Sequence, residues 1–178
     1  MPHSGADQPN ETTGAAQKMA LAPALLDLIR AQITRERYAV AVYSALASWA
    51  DAQAFPGLTG WADAASAEEA AHAQKFIAYL RDRATVTLEA VDAPPADFGS
   101  YADALAAALA LEKEVSARIT EIYQRALAER DGATAGLAEW FLTEQVQSEK
   151  ELEVLLMRVG RGAPIDLLDA ELFEEAAA

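Results

Sequence analysis

A glutamate and a histidine three residues apart, Glu69 and His72, share one face of any helix that contains both. Together they offer a carboxylate oxygen and an imidazole nitrogen to a metal ion. The flanking residues make that helix, because Trp61, Ala65, Phe76 and Leu80 recur at helical spacing around the pair. Other polar residues interrupt apolar stripes in the same way. Glu36 lies seven residues after Ile29 and seven before Tyr43, among Ile33, Val40 and Ala47. Glu112 falls between Leu109 and Ser116, and Gln145 and Ser148 replace apolar residues between Phe141 and Leu152. At one level of a helical bundle, three carboxylates, an imidazole and an amide demand positive charge, since burying even one uncompensated charge costs several kcal/mol. Arg35, Arg37, Lys75, Lys113 and Lys150 all flank the stripes and do not supply it. A pair of divalent cations fits this donor set, which suits iron, manganese or zinc better than magnesium.

Four long helices must hold these residues. Pro23 suits a first helical turn, and helix A runs to about Ala52, where Phe55-Pro56-Gly57 breaks the pattern. Helix B covers about 59–84. Residues 85–99, with Thr-Val-Thr, Pro94-Pro95 and Gly99, have no helical pattern and form a connection. Ser100 and Asp103 read as a capping box opening helix C, which runs to about Arg130, and Asp131-Gly132 is a turn. Helix D runs from about Thr134 until Gly160 and Gly162 stop it, and a short fifth helix spans about 166–175. No segment reads as a strand. Residues 1–20 are small, polar and aperiodic and read as a mobile N-terminal tail, which leaves 21–178 as one domain.

Connection lengths then set the topology. Short turns make A and B, and C and D, antiparallel neighbours. The B to C connection has 15 residues. Extended, it reaches about 50 Å, more than the roughly 39 Å of helix B, so it crosses the bundle and leaves B and C parallel. The expectation is an all-α four-helix bundle with one long crossover and a short C-terminal fifth helix.

Composition narrows the chemistry. Fourteen basic against 28 acidic residues give a net charge of −14, the wrong sign for nucleic acid. With no cysteine there is no disulfide, thiolate metal site, iron–sulfur cluster or thiol nucleophile. The N-terminal residues carry no export signal, and no apolar run reaches the ~18–20 residues of a membrane span, so a cytoplasmic protein without a membrane partner is expected.

The strings QITRERYAVAVYS with Glu36 and Tyr43, SAEEAAHAQKFIAYL with Glu69 and His72, and WFLTEQVQSEKEL with Gln145 resemble the helix A, B and D motifs of the ferritin family, in its non-haem iron-storage branch. Glu112 in ALALEKEV resembles its helix C glutamate, and the likeness extends from about Pro23 to Glu175. It implies a ferritin-like four-helix bundle that oxidises Fe(II) at an intrasubunit di-iron ferroxidase centre, with oxygen or hydrogen peroxide. It also implies storage of Fe(III) as a mineral inside a homo-oligomeric 24-mer cage. By the same resemblance Glu36, Glu69 and His72 bind the first iron, Glu69 bridges to a second held by Glu112 with Gln145 nearby, and Tyr43 hydrogen-bonds at the site and can supply an electron.

Two positions depart from the pattern. Ser148 stands where many bacterial members carry glutamate, which implies a weaker, more transient second site. Gln147 replaces another frequent glutamate and removes a ligand from the accessory third site to which Glu68 and Glu144 contribute. No haem is expected, because the histidines are His3 and His72 and no methionine lies on helix B. The alternative is a non-storage di-iron oxidoreductase of the same superfamily, peroxidase-like or rubrerythrin-like. Trp49, Trp61 and Trp140 read as packing residues. Glu68, Glu139, Glu144, Glu149, Glu151 and Glu153 read as a solvated face that in a cage could nucleate mineral.

Overall fold

The helices begin and end where local chemistry says they should. A computed structural model describes residues 21–176, so the expected N-terminal tail lies outside the described residues. It contains α1 (Pro23–Ala52), α2 (Pro56–Arg83), α3 (Tyr101–Ala128), α4 (Gly132–Gly160) and α5 (Ile165–Ala176), and no strand among those residues. Pro23 and Pro56 occupy the first turns of α1 and α2, where a missing N–H costs nothing. For that reason α2 starts earlier than its apolar pattern suggested. The capping box of α3 is formed, with Asp103 N donating to Ser100 Oγ at 3.2 Å and Ser100 N to Asp103 Oδ2 at 3.1 Å. Asp131 caps α4 by accepting from Thr134 N at 3.1 Å, which moves that helix's start back to Gly132.

Three helices close with the same hydrogen-bonded hook. After α1, Phe55 N donates to Ala50 O and Ala54 N to Asp51 O, both at 3.0 Å. Asp131 and Arg130 repeat the pair on Ala126 and Leu127 after α3, and Ala163 and Gly162 on Arg158 and Val159 after α4. The hook needs a left-handed residue, and these are Ala54 at φ 61°, Arg130 at φ 57° and Gly162 at φ 83°. Glycine takes that conformation without the Cβ penalty borne at the other two.

The crossover is traced by its contacts with α1. Arg30 Nη2 donates to Thr85 O at 3.0 Å, Arg37 Nη1 to Glu89 O at 2.5 Å, and Trp49 Nε1 to Asp97 Oδ1 at 3.0 Å. Residues 85–97 therefore run along α1 from its N-terminal to its C-terminal half and deliver the start of α3 to the end where α2 begins. Helices α2 and α3 are parallel, as the loop length required. The fifth helix docks on the start of α2 through buried Asp169, whose carboxylate accepts from Gly57 N at 3.0 Å and Leu58 N at 2.8 Å. A Cβ on Gly57 would stand 1.8 Å from Asp169 O, so only glycine fits there.

The apolar core is in two parts. One cluster gathers Ala39, Tyr43, Leu46, Leu58, Leu105, Leu152 and their neighbours, and the other Ile29, Ile33, Phe76, Val115, Ile119 and Phe141. Leu26 and Val40, which spacing placed on the inward stripe of α1, are only partly buried, while Leu25, Ala39 and Val42 turn inward. Packing of α1 against both α2 and α3 widens its buried arc beyond a single line of residues. Between the two clusters lies a polar layer.

Candidate metal centre

Each helix of the bundle contributes to that layer at the step where one apolar cluster gives way to the other. On α1, Glu36 falls between Ile33 and Ala39. On α2, Glu69 and His72 fall between Ala62 and Phe76. On α3, Glu112 lies between Leu111 and Val115, and on α4, Gln145 between Phe141 and Leu152. All five side chains are buried, Glu36 completely and none more than 5% exposed.

Glu36, Glu69 and His72 converge, each presenting one ligand atom within 4.8 Å of the others. His72 Nδ1 is 3.7 Å from Glu69 Oε1, too far for a hydrogen bond, and its Nε2 is 3.9 Å from Glu68 Oε1. Glu36 Oε2, Glu69 Oε2 and His72 Nδ1 are buried without a hydrogen-bond partner. Unpaired buried acceptors of this kind destabilise a fold unless something fills the gap. In a set rich in carboxylates, the natural filler is a cation.

The charges agree. Burial pushes the Glu36 carboxyl well above the ordinary carboxylate range, and the adjacent Glu69 carboxyl adds to the shift. Glu69 is also raised, first by burial and then by the charges of Glu112 and Glu68, against the opposing effect of the adjacent Glu36 carboxyl. Two carboxylates this close share a proton or a cation. His72 is held in place by aromatic edges, with ring centroids of Phe141 at 5.2 Å and Trp140 at 6.0 Å.

Glu112 is adjacent but differently occupied. Tyr43 OH donates to its Oε1, and Gln145 Nε2 donates to its Oε2 at 2.8 Å. Burial and the neighbouring Glu112 charge hold the Tyr43 phenol well above its ordinary range, so it remains a donor. Each Glu112 oxygen keeps a second lone pair for a cation beside its hydrogen bond, and Gln145 Oε1, buried and unpartnered, is at hand as a further ligand. Ser148 is partly buried on α4 and lines a cleft with Glu69 and Glu112. Glu68 lines the same cleft, whereas Glu144 belongs to neither this cleft nor the Glu–Glu–His group.

Two contributors were not singled out from the sequence. Gln32 is buried and donates through Nε2 to Glu36 Oε1 at 2.8 Å, fixing one oxygen of that carboxylate while the other remains unpartnered. Its position four residues before Glu36, one turn along the same face, was the available signal. Glu151 is the second, lining the cleft instead of lying only on a solvated face. Trp140, expected to be packing, is 39% exposed, with the Lys75 ammonium 3.0 Å from its ring centroid.

A helical bundle with one long crossover and a buried Glu–Glu–His group at mid-height is the architecture of the ferritin-like carboxylate metalloproteins. Comparison with known proteins agrees. A family model described as a ferritin-like domain matches residues 26–161. The chain is 33% identical over 140 residues to a bacterial non-heme ferritin of Staphylococcus aureus, covering 76% of this chain and 84% of that one. It is 30% identical over 144 residues to the bacterial non-heme ferritin of Staphylococcus epidermidis, covering 79% and 87%. A solved open pore ferritin from Archaeoglobus fulgidus superimposes with a TM-score of 0.83 at 28% identity, over 86% of this chain and 96% of that one. The chain belongs to the ferritin family.

Proposed function

We propose that this chain is an iron-storage ferritin that takes Fe(II) as substrate at the polar layer, oxidises it with oxygen or hydrogen peroxide, and stores Fe(III) as mineral inside a 24-subunit cytoplasmic cage. The observation that carries the reading is the convergence of the buried ligand groups of Glu36, Glu69 and His72, each of which carries an unpartnered polar atom. Glu36, Glu69 and His72 hold the first Fe(II). Glu69, Glu112 and Gln145 take the second, while Tyr43 stays hydrogen-bonded to Glu112 and orients it. Glu36 and Glu69, both with raised carboxyls, release any proton they hold as metal binds. Carboxylate ligands then favour the ferric product through their charge. Two Fe(II) supply one electron each, which with two protons reduce oxygen to hydrogen peroxide or hydrogen peroxide to two waters.

The relatives named as non-heme ferritins support storage as the outcome, and the ferritin neighbours support assembly into a cage. Fe(II) is titrated aerobically into metal-free protein well beyond two equivalents per chain, followed by size exclusion with iron and protein detected together. Storage requires hundreds of irons co-eluting with a very large closed particle. About two irons per chain on a monomer or dimer identifies a non-storage di-iron oxidoreductase instead. At the site itself, His72→Ala is expected to slow initial oxidation by at least the roughly 10- to 100-fold that loss of even an outer-shell partner costs, while the bundle stays folded. An unchanged initial rate removes His72 from the chemistry.

A further inference from the structure

A buried amide has a donor and an acceptor to satisfy, and Gln32 satisfies only the donor. Its side chain is 1% exposed and lies one turn before Glu36 on α1, where its Nε2 donates to Glu36 Oε1 at 2.8 Å. Its own Oε1 is buried without a hydrogen-bond partner. The same stretch of α1 is otherwise apolar, with Ile29 and Ile33 sealed in one cluster with Phe76 and Ile119. An unbranched apolar side chain would fill that space without stranding an acceptor, so packing does not explain an amide here. Glu36 does. It is completely buried next to Glu69, a second carboxylate that repels it when both are ionised. Its Oε2 has no partner, so the bond from Gln32 at Oε1 is what sets the direction of the carboxylate. The other donors of the layer, the Tyr43 hydroxyl and the Gln145 amide, are engaged on Glu112.

We propose that Gln32 is a positioning residue for the first metal, its amide N–H holding the Glu36 carboxylate in place beside Glu69 and His72. The assignment rests on the reading of that layer as a metal centre. A charge-assisted hydrogen bond opposes the turn by which Glu36 would escape Glu69. The ligand is therefore ordered before the metal arrives, and affinity is not spent on ordering it. Glu112 and Gln145 are held to each other by a separate bond, so loss of Gln32 falls on the first metal and not on the second.

The test uses the full-length assembled protein, metal-free, with Co²⁺ as a redox-inert probe titrated by absorbance. Gln32→Met, which keeps length and loses the amide, is expected to weaken the first Co²⁺ equivalent roughly 10- to 100-fold. It should also alter the Co²⁺ ligand-field spectrum, while the second equivalent and the helical circular dichroism stay as in the parent. Gln32→Asn keeps an amide one methylene too short to reach Glu36 and should behave in the same way; it decides the question if the methionine variant does not fold. Ile33→Val is the control, because it trims the neighbouring core without touching Glu36, and it should bind like the parent. Parent affinity and parent spectrum in a folded Gln32 variant, or an equal loss in Ile33→Val, would make Gln32 a packing residue although the buried centre stands. If the parent takes up no Co²⁺ and His72→Ala changes nothing, the metal-centre reading fails and the role of Gln32 fails with it.

Discussion

The metal-free centre should destabilise its own fold, and Glu69→Gln isolates the effect. In the folded, metal-free protein the Glu69 carboxyl is pushed up from 4.5 to about 7, chiefly by burial. Below pH 4.5 both folded and unfolded chains hold the proton, and Glu69 contributes nothing to the balance. Between 4.5 and 7 the folded chain keeps a proton that the unfolded chain has lost, so stability falls as pH rises. Above 7 the full penalty applies, about 3 kcal/mol at 1.36 kcal/mol per pH unit. Glutamine has the same shape and no such penalty, and its amide can donate to the unpartnered Glu36 Oε2. For a chain of this size the gain corresponds to roughly 6–12 °C in melting temperature. The assay is thermal unfolding by circular dichroism in EDTA, from pH 5 to pH 8. The variant should melt close to the parent at pH 5 and well above it at pH 8. Saturating Zn²⁺ should then stabilise the parent by about 2.7 kcal/mol at a hundredfold excess over Kd and the variant far less. A variant less stable than the parent at pH 8 without metal, or a gap independent of pH, would refute the argument that these carboxylates are buried for a cation.

Three further outcomes follow from the geometry. Tyr43→Phe removes the donor on Glu112 Oε1, so the metal-free protein should lose about 1–3 kcal/mol by urea unfolding. An unchanged stability would show that this buried hydrogen bond contributes nothing to the fold. Ala54→Gly relieves a left-handed alanine at the end of α1 and should raise stability by about 0.5–1 kcal/mol, measured by urea unfolding; no gain would show that the turn is unstrained. Gly57→Ala puts a Cβ 1.8 Å from Asp169 O, so α5 should detach and limited proteolysis should cut between α4 and α5 earlier than in the parent. Loss of the two bonds to Asp169 costs about 2–3 kcal/mol, and an unaltered digestion pattern would overturn that account of docking.

The sequence by itself determined the four long helices, the crossover and the level of the polar layer. These depend on local quantities: the helical period that turns Glu36, Glu69, His72 and Glu112 inward, the capping chemistry of Ser100 and Asp103, and a loop long enough to cross the bundle. It could not decide which carboxylate oxygens are free, because that depends on helix rotation and rotamers set by packing across elements far apart in the chain. Only the tertiary structure joined Tyr43 and Gln145 to Glu112, paired Gln32 with Glu36, and left three acceptors on Glu36, Glu69 and His72 without donors. The same holds for α4. Period alone puts Glu144, Ser148 and Glu151 near one face, but its packing against α2 and α3 brought Ser148 and Glu151 into the cleft with Glu68 and left Glu144 outside it.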